Sequence, residues 1–430
     1  MNRLFLVSAI AACSTTPPST PATHLAHRLV VISVDGLMPD VYLDPDAHGM
    51  KVPTLRALVA GGAAGRVHGV MPTVTYPSHT TMVTGVSPKV HGIVSNKPAD
   101  PLGKNYDGWR WYAEDIKAPT IYQAVEAAHG TAALVTWPVS VAAHASIVVP
   151  EYWRAGGVDD QKLVRALSTP GVLDEVQKRD PDLWKALTPP DIKDASQFAI
   201  ASYLLDVRKP DLLLVHAFEL DDAQHEHAPW SPEAKAVIEN VDAKLGALLK
   251  QLQASPDWSR TILVIVSDHG FAPVDHELRP GVAFEAHKIA PTDAWTIASG
   301  GSDLIYCDAA HRPAVEAALV DLKDHIARVI DHDELVRLGG DPQAAFALVA
   351  APTYQFSDKR TGDLVVDVPG RGTHGWPPDD PAMAASFIAF GPDVPHIALG
   401  PIDTLDFAPT FARWLGVPLA TEHAALPIAR

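Results

Sequence analysis

The sequence predicts an α/β fold built on a doubly wound sheet, and two patterns carry that prediction. The first is a set of short apolar runs, Leu29 to Val34, Ala132 to Thr136, Asp211 to Ala217, Thr261 to Ser267 and Ser386 to Phe390. Runs of that length without alternation are what parallel strands buried on both faces look like. The second is what lies between them: helical stretches at Pro53 to Ala60, Ala118 to Ala128, Ala195 to Val207 and Pro232 to Gln253. Strands alternating with helices over such a span give a parallel sheet with helices on both faces. In such sheets ligands collect at the carboxyl ends of the strands, which is where chemistry is to be sought.

Taken in order, the chain opens with Asn2 and Arg3, followed by the apolar run Leu4 to Ala12. That run is too short to span a bilayer and fits the apolar part of a signal peptide. Ile10-Ala11-Ala12-Cys13 has the form of a bacterial lipobox, and Ser14 to Thr23 is a Ser/Thr/Pro tether. Residues 1–27 therefore read as an export signal and linker. The expectation is an exported protein, periplasmic or an outer-membrane lipoprotein of a Gram-negative bacterium, attached to membrane only through that lipid. A catalytic core is expected over 28–275, with a cap insertion at about 139–194 that is rich in Pro, Trp and charge. A small inserted α+β subdomain follows over 276–371, with the strand Ser302 to Cys307, a helix Arg312 to Ile330 and the strand Ala345 to Ala350. Residues 372–430 complete the core.

Composition narrows the function. The 430 residues carry 34 Lys+Arg against 51 Asp+Glu, a formal net charge of −17. Non-specific nucleic-acid binding needs clustered cations, so no stable nucleic-acid complex is expected. A small phosphate substrate stays allowed, because a local metal site overrides the global field. With two cysteines, Cys13 and Cys307, neither a disulfide framework nor a cysteine-rich zinc site is available.

Several residues combine a chemical side chain with a favoured position. Asp35 ends the first strand ahead of Gly36, and Asp268-His269-Gly270 ends the Thr261 strand in the same way. Asp35-Gly36 reads equally as a turn or as a ligand at a strand end, whereas among four Asp-His pairs (268–269, 275–276, 324–325 and 331–332) only the first directly follows an apolar strand and precedes a Gly, which singles it out. Asp221 and His225 follow the Asp211 strand four residues apart, one face of a helix, with Asp222 and His227 as rivals. His374 lies in Gly372-Thr373-His374-Gly375-Trp376. The loop Pro72-Thr73-Val74-Thr75-Tyr76-Pro77-Ser78-His79 brings hydroxyls to a helix start, where they serve as caps or face a bound phosphate.

In this order the motifs resemble the alkaline phosphatase superfamily, and within it the nucleotide pyrophosphatase/phosphodiesterase branch. The resemblance runs from about Arg28 to Trp376 and on to Gly416. It implies an alkaline-phosphatase-like sheet and two zinc ions per chain, one held by Asp35, Thr75, Asp268 and His269, the other by Asp221, His225 and His374. It makes Thr75 the nucleophile, because Thr75 stands just before the aromatic-Pro pair, and implies a phosphothreonine intermediate. Ser78 falls where an asparagine that donates to a phosphoryl oxygen is expected. Tyr76, with Tyr152 and Trp153 of the Pro-Glu-Tyr-Trp segment, reads as a stacking slot for a base. The expected substrate is a small phosphodiester or nucleotide pyrophosphate. Phosphomonoester, phospholipid head-group or phosphonate hydrolysis, and phosphate binding without turnover, are the alternatives. The oligomeric state stays open.

Overall fold

The structure is a computed structural model. It describes residues 25–429 except 106–107, 155–157 and 189–191, so the signal and lipobox with Cys13 lie outside the described residues. In chain order the strands are β1 (Arg28–Val34), β2 (Ala63–His68), β3 (Ala132–Val135), β4 (Ile147–Val149), β5 (Leu212–Ala217) and β6 (Thr261–Val266). Then come β7 (Ala272–Leu278), β8 (Ala294–Ser299), β9 (Ser302–Cys307), β10 (Ile326–Asp331), β11 (Phe346–Ala350), β12 (Thr353–Phe356) and β13 (Val365–Thr373). The last are β14 (Ala385–Phe390), β15 (Ile397–Ala398) and β16 (Ile402–Asp403).

The central sheet has the order β15-β2-β14-β6-β1-β5-β3-β4, with β16 also on β2. β1 lies between β5 and β6, parallel to both. Its residues alternate between two cores. Val30, Ile32 and Val34 join the side covered by the helices Pro53–Gly61, Asp194–Tyr203 and Pro232–Gln253. Leu29 and Val31 join the side covered by Ile121–Ala127 and Phe407–Leu415. A strand whose every residue is buried this way has no polar face, which is why it reads as an unbroken apolar run. Among the described residues no helix is long and apolar enough to cross a membrane.

Two local expectations are corrected. Ser386 to Phe390 was expected to run parallel, but β14 is antiparallel to both β2 and β6. Direction is not written in a strand's composition when both faces are buried. The expected helix from Arg312 to Ile330 stops early: the α-helix covers Arg312–Leu319, a 3-10 segment follows, and Ile326–Asp331 is β10. β10 pairs antiparallel with β11, so tertiary pairing overrides its helical spacing.

Between β6 and β14 the chain makes a four-stranded sheet, β10-β11-β9-β8, and a three-stranded one, β12-β7-β13. Residues 276 and 371 both fall inside strands of the second sheet, β7 and β13, which pair antiparallel and form a stem. The 139–194 stretch contributes β4 to the central sheet edge, and the helices Val158–Leu167 and Val172–Arg179 follow it.

Candidate active site

Because β1 is flanked by β5 and β6, the residues just past their ends meet: Asp35, the Glu219–His227 helix and Asp268. Gly36 ties them together. Its N–H donates to Asp268 Oδ1 (3.2 Å) and its carbonyl accepts from Gln224 Nε2 (3.0 Å). It holds φ +67°, and a Cβ there would lie 2.8 Å from Gln224 Nε2 and 2.9 Å from the Phe271 ring. The turn after Asp35 therefore requires glycine.

Thr75 opens the Thr75–Thr84 helix, of which every residue is buried. Val74 provides no side-chain cap; instead Asn96 Oδ1 accepts from the Tyr76 N–H at 2.9 Å. Thr75 Oγ1 lies 3.5 Å from His269 Nε2. The same nitrogen is 3.2 Å from Asp35 Oδ1 and 3.1 Å from Asp268 Oδ2. A single ring nitrogen cannot satisfy three oxygens, and both carboxylate atoms are buried without a hydrogen-bond partner. Asp221, His225 and His374 form a second group, at 3.4 Å for Asp221 to His225 Nε2 and 3.7 Å for Asp221 to His374 Nε2. Asp221 also groups with Asp35 and His269, so one carboxylate borders both sets, a sharing that sequence spacing did not reveal.

The three histidines are aimed alike. Nδ1 of His225 donates to Gly372 O (2.9 Å), Nδ1 of His269 to Gly270 O (3.1 Å) and Nδ1 of His374 to Thr73 O (3.1 Å). With each Nδ1–H spent on a carbonyl, Nε2 is the ring atom that each histidine turns to the centre, and the one it would offer to a metal ion. Gly375 sets the last ring: its φ is +95°, and a Cβ there would meet Ser299 O at 1.5 Å. The donor set is nitrogen and carboxylate oxygen around buried orphan atoms, which fits zinc.

The electrostatics match a site that awaits cations. Burial and the neighbouring Asp268 and Asp221 push Asp35 well above the usual carboxylate range. Burial would raise Asp268, but the charge and hydrogen bond of His269, with the charges of His79 and His216, together hold it low; desolvation would lower His269, but Asp268, with Asp35 and Asp221, pushes it up to about 9. Burial and the charge of His269 hold His374 well below the ordinary histidine value. Positive charge at the centre would bring the raised Asp35 and His269 back down, and it would keep Asp268 ionised and His374 neutral. Of the rivals at 222 and 227, Asp222 faces an adjoining cavity and is raised to about 7 by desolvation, and His227 turns toward Glu226 at 3.7 Å. Neither joins a ligand group.

Two cavities flank the site. One, of about 260 Å³, is lined by Asp35, Thr75 and Asp221 with Trp109, Trp153 and Phe218 as aromatic walls. The other, of about 300 Å³, lies on His225 and His374 and is lined by Asn96, Lys97 and Trp109. Here the substrate-binding expectation is corrected. Tyr76 is fully enclosed, with its hydroxyl donating to Glu151 Oε1 at 2.7 Å. Tyr152 is buried against Trp111 (4.8 Å between rings). Neither offers a free face; Trp153 does, with Trp109 and Phe218. Ser78 is also buried, its Oγ without a partner, and lines neither cavity. The amide that lines the site is Asn96, whose oxygen is taken by Tyr76 N–H so that its NH₂ is turned away from that bond. Trp153 belongs to the Pro-Glu-Tyr-Trp segment that the sequence singles out, whereas Asn96, Trp109 and Phe218 carry no local sequence signal, since they come from separate stretches.

The chain matches the family described as "Type I phosphodiesterase / nucleotide pyrophosphatase" over residues 29–376. It is 26% identical to an uncharacterized pyrophosphatase/phosphodiesterase of Schizosaccharomyces pombe, covering 94% of this chain and 80% of that protein. It is 24% identical to human ectonucleotide pyrophosphatase/phosphodiesterase family member 5, over 64% of this chain and 51% of that one. The fold is similar to murine ectonucleotide pyrophosphatase/phosphodiesterase 5, solved as an inactive form with AMP. The TM-score is 0.67 at 20% identity, covering 93% of this chain and 97% of that one. The chain is thus a hydrolase of the type I phosphodiesterase/nucleotide pyrophosphatase family, within the alkaline phosphatase superfamily.

Proposed function

We propose that the protein is a zinc-dependent hydrolase of small phosphodiesters and nucleotide pyrophosphates that uses Thr75 as its nucleophile. The observation that carries this reading is the convergence of Thr75 Oγ1, Asp35 Oδ1 and Asp268 Oδ2 on His269 Nε2, beside the Asp221, His225 and His374 group. Asp35, Thr75, Asp268 and His269 would hold one zinc ion, and Asp221, His225 and His374 the other. When bound, such a pair stabilises the attacking and leaving oxygens of an in-line displacement and lowers hydroxyl pKa.

The chain's own groups supply the rest. The rigid Thr75–Thr84 helix fixes Oγ1 for attack on phosphorus, giving a phosphothreonine that water then hydrolyses. Asn96, whose oxygen is taken by the Tyr76 N–H and which lines the second cavity, would donate its NH₂ to a phosphoryl oxygen. The group retained on phosphorus lies between Trp109, Trp153 and Phe218, and the leaving group lies over His225 and His374. The aromatic cavity falls just below the usual span of about 300–1,000 Å³ for ligand pockets, so it takes one base or head group. The murine relative's complex with AMP supports a nucleotide there. The substrate comes from outside the cytoplasm, as the Leu4 to Cys13 segment suggests.

Hydrolysis of p-nitrophenyl phosphate, its bis ester and its thymidine 5′-ester, with chelator and with zinc restored, tests the reading. The thymidine diester is expected to be the best substrate and to need zinc. Chelator-resistant turnover, or a preference for the monoester, would overturn it.

A further inference from the structure

Behind the ligands runs a buried chain of hydrogen bonds that the reaction as described does not use. Tyr76 Oη donates to Glu151 Oε1 at 2.7 Å. Glu151 Oε2 accepts from His216 Nδ1 at 2.7 Å, and His216 Nε2 donates to Asp35 Oδ2 at 3.0 Å. All four residues are buried, none more than 7% exposed. Burying a carboxylate and an imidazole on the floor of a cavity costs free energy that packing alone would have avoided with apolar residues. A buried polar network of this kind earns its place only when it fixes something.

What it fixes is visible in the two oxygens of Asp35. Oδ2 is held by His216, while Oδ1 is left without a partner, facing Nε2 of His269. The carboxylate is thereby locked in one orientation, one oxygen tethered and one presented. The other arm of Glu151 holds the ring of Tyr76, the residue next to Thr75. Glu151 stands on the segment following β4, His216 on β5, Asp35 after β1 and Tyr76 on the buried helix. One side chain therefore braces both the nucleophile's helix and a metal-binding carboxylate, from a third part of the fold.

We propose that Glu151 and His216 are positioning residues for the nucleophile half of the site, setting Asp35 Oδ1 and Thr75 together for one metal ion. This rests on the two-metal reading above. Outer partners of metal ligands typically change affinity or activity by about 10–100-fold when removed.

The test is metal content and kinetics of full-length Glu151→Ala, Glu151→Gln and His216→Phe. Each is dialysed against zinc buffered by a chelator and assayed with the thymidine diester. The expected result for Glu151→Ala and His216→Phe is loss of one of the two zinc ions at a chelator strength the wild type withstands. kcat should fall about 10–100-fold with KM within about twofold. Retention of the other ion at Asp221, His225 and His374 shows that the variant is folded. Glu151→Gln keeps the volume and one acceptor, and should fall between alanine and wild type. In a variant carrying both Glu151→Ala and His216→Phe, the zinc loss should equal that of His216→Phe, since Glu151 reaches Asp35 through the ring, while kcat should fall further because the Tyr76 arm is lost as well. Full zinc loading and unchanged kcat in both single variants would overturn the proposal and leave the network as packing. A wild type that binds no zinc and turns over no diester would instead overturn the two-metal reading, and this inference with it.

Discussion

Replacing Trp153 with alanine should weaken binding of nucleoside diesters without slowing the chemistry. The indole stands in the wall of the cavity that holds Thr75, its ring centroid 5.2 Å from that of Trp109 and inclined to it by 65°, edge to face. Base-on-aromatic stacking is worth roughly 1–3 kcal/mol per base by alanine substitution. An edge-to-face aromatic pair adds about 0.5–1.5 kcal/mol, so the variant also loses the prop that keeps Trp109 in place. The loss should sit in the upper part of the first range, about 2–3 kcal/mol, or roughly 30–150-fold at about 1.4 kcal/mol per tenfold. Stacking acts on ground and transition states alike, so the change belongs in KM. Initial rates with thymidine 5′-p-nitrophenyl phosphate and methyl p-nitrophenyl phosphate measure it: KM should rise for the first and stay put for the second. Trp153→Phe, which keeps a flat face, should recover most of the loss. Tyr152→Phe, whose ring is enclosed, should do nothing. If KM rose equally for both diesters, or kcat fell while KM held, the aromatic slot would not be where the base sits.

Further outcomes follow from other parts of the molecule. Thr75→Ala should abolish turnover while zinc content stays near wild type, since six other ligands remain; residual diesterase activity would remove Thr75 from its role. Asp221→Ala should lower zinc content most, because its carboxylate borders both ligand groups, and His227→Ala should leave it unchanged by metal analysis. His91 should contribute an acid sensitivity to stability. Its Nδ1 accepts from Ile93 N–H (3.1 Å) and its Nε2 donates to Thr81 Oγ1 (3.0 Å), so the folded protein needs the neutral ring, and burial lowers its pKa to about 3. An unfolded histidine titrates near 6.5, so this contribution is complete above about pH 6.5 and is lost as pH falls toward 3. The slope is about 1.4 kcal/mol per unit. Urea midpoints between pH 6.5 and 4.5 should therefore fall less steeply in His91→Gln than in wild type. If Cys13 carries the lipid that the lipobox pattern implies, Cys13→Ser should move an active enzyme from the membrane fraction to the soluble one, because ten Ser/Thr/Pro-rich residues, Ser14 to Thr23, lie between it and the core; an active enzyme that stays with the membrane, or an inactive soluble one, would count against that role.

The legible parts of the sequence were those where one local property decides the outcome. Leu29 to Val34 and Thr261 to Ser267 read as strands because burial on both faces admits only apolar residues. Asp35, Asp268, Asp221 and His225 stood out because they follow such runs. β2, with Arg66 and Gly65 in its six residues, and β4, with three, carry too little pattern to read. What stayed hidden depends on contacts between distant segments. Trp109 and Phe218 come from separate stretches and meet Trp153, which the Pro-Glu-Tyr-Trp segment does flag, only at the cavity. Tyr76 and Tyr152 read as free faces because a sequence does not say which side of a ring is covered; both are buried, with Trp109 against the ring of Tyr76 and Trp111 against that of Tyr152. Asn96 lies 20 residues beyond Tyr76, whose N–H it accepts, with no periodicity to link the two. His216 was lost inside a strand that reads as uniformly buried.

The stem formed by β7 and β13 bears on how chains of this kind can diverge. His269 stands just before β7, His374 just after β13, and Gly372, on β13 itself, holds His225. At the far side of the excursion, the turn between β8 and β9 returns to the stem, where Gly301 N–H donates to His374 O at 2.7 Å. An inserted segment is ordinarily the part of a protein that lineages lengthen, trim or discard most freely. This one is stitched to three ligands at its root, so that freedom should end there. Variation in length should be confined to the outer edge, around Arg312 to Asp331, where the chain touches no ligand. A lineage that lost the whole excursion would have to invent a new support for His374 before the group it forms with Asp221 and His225 could persist.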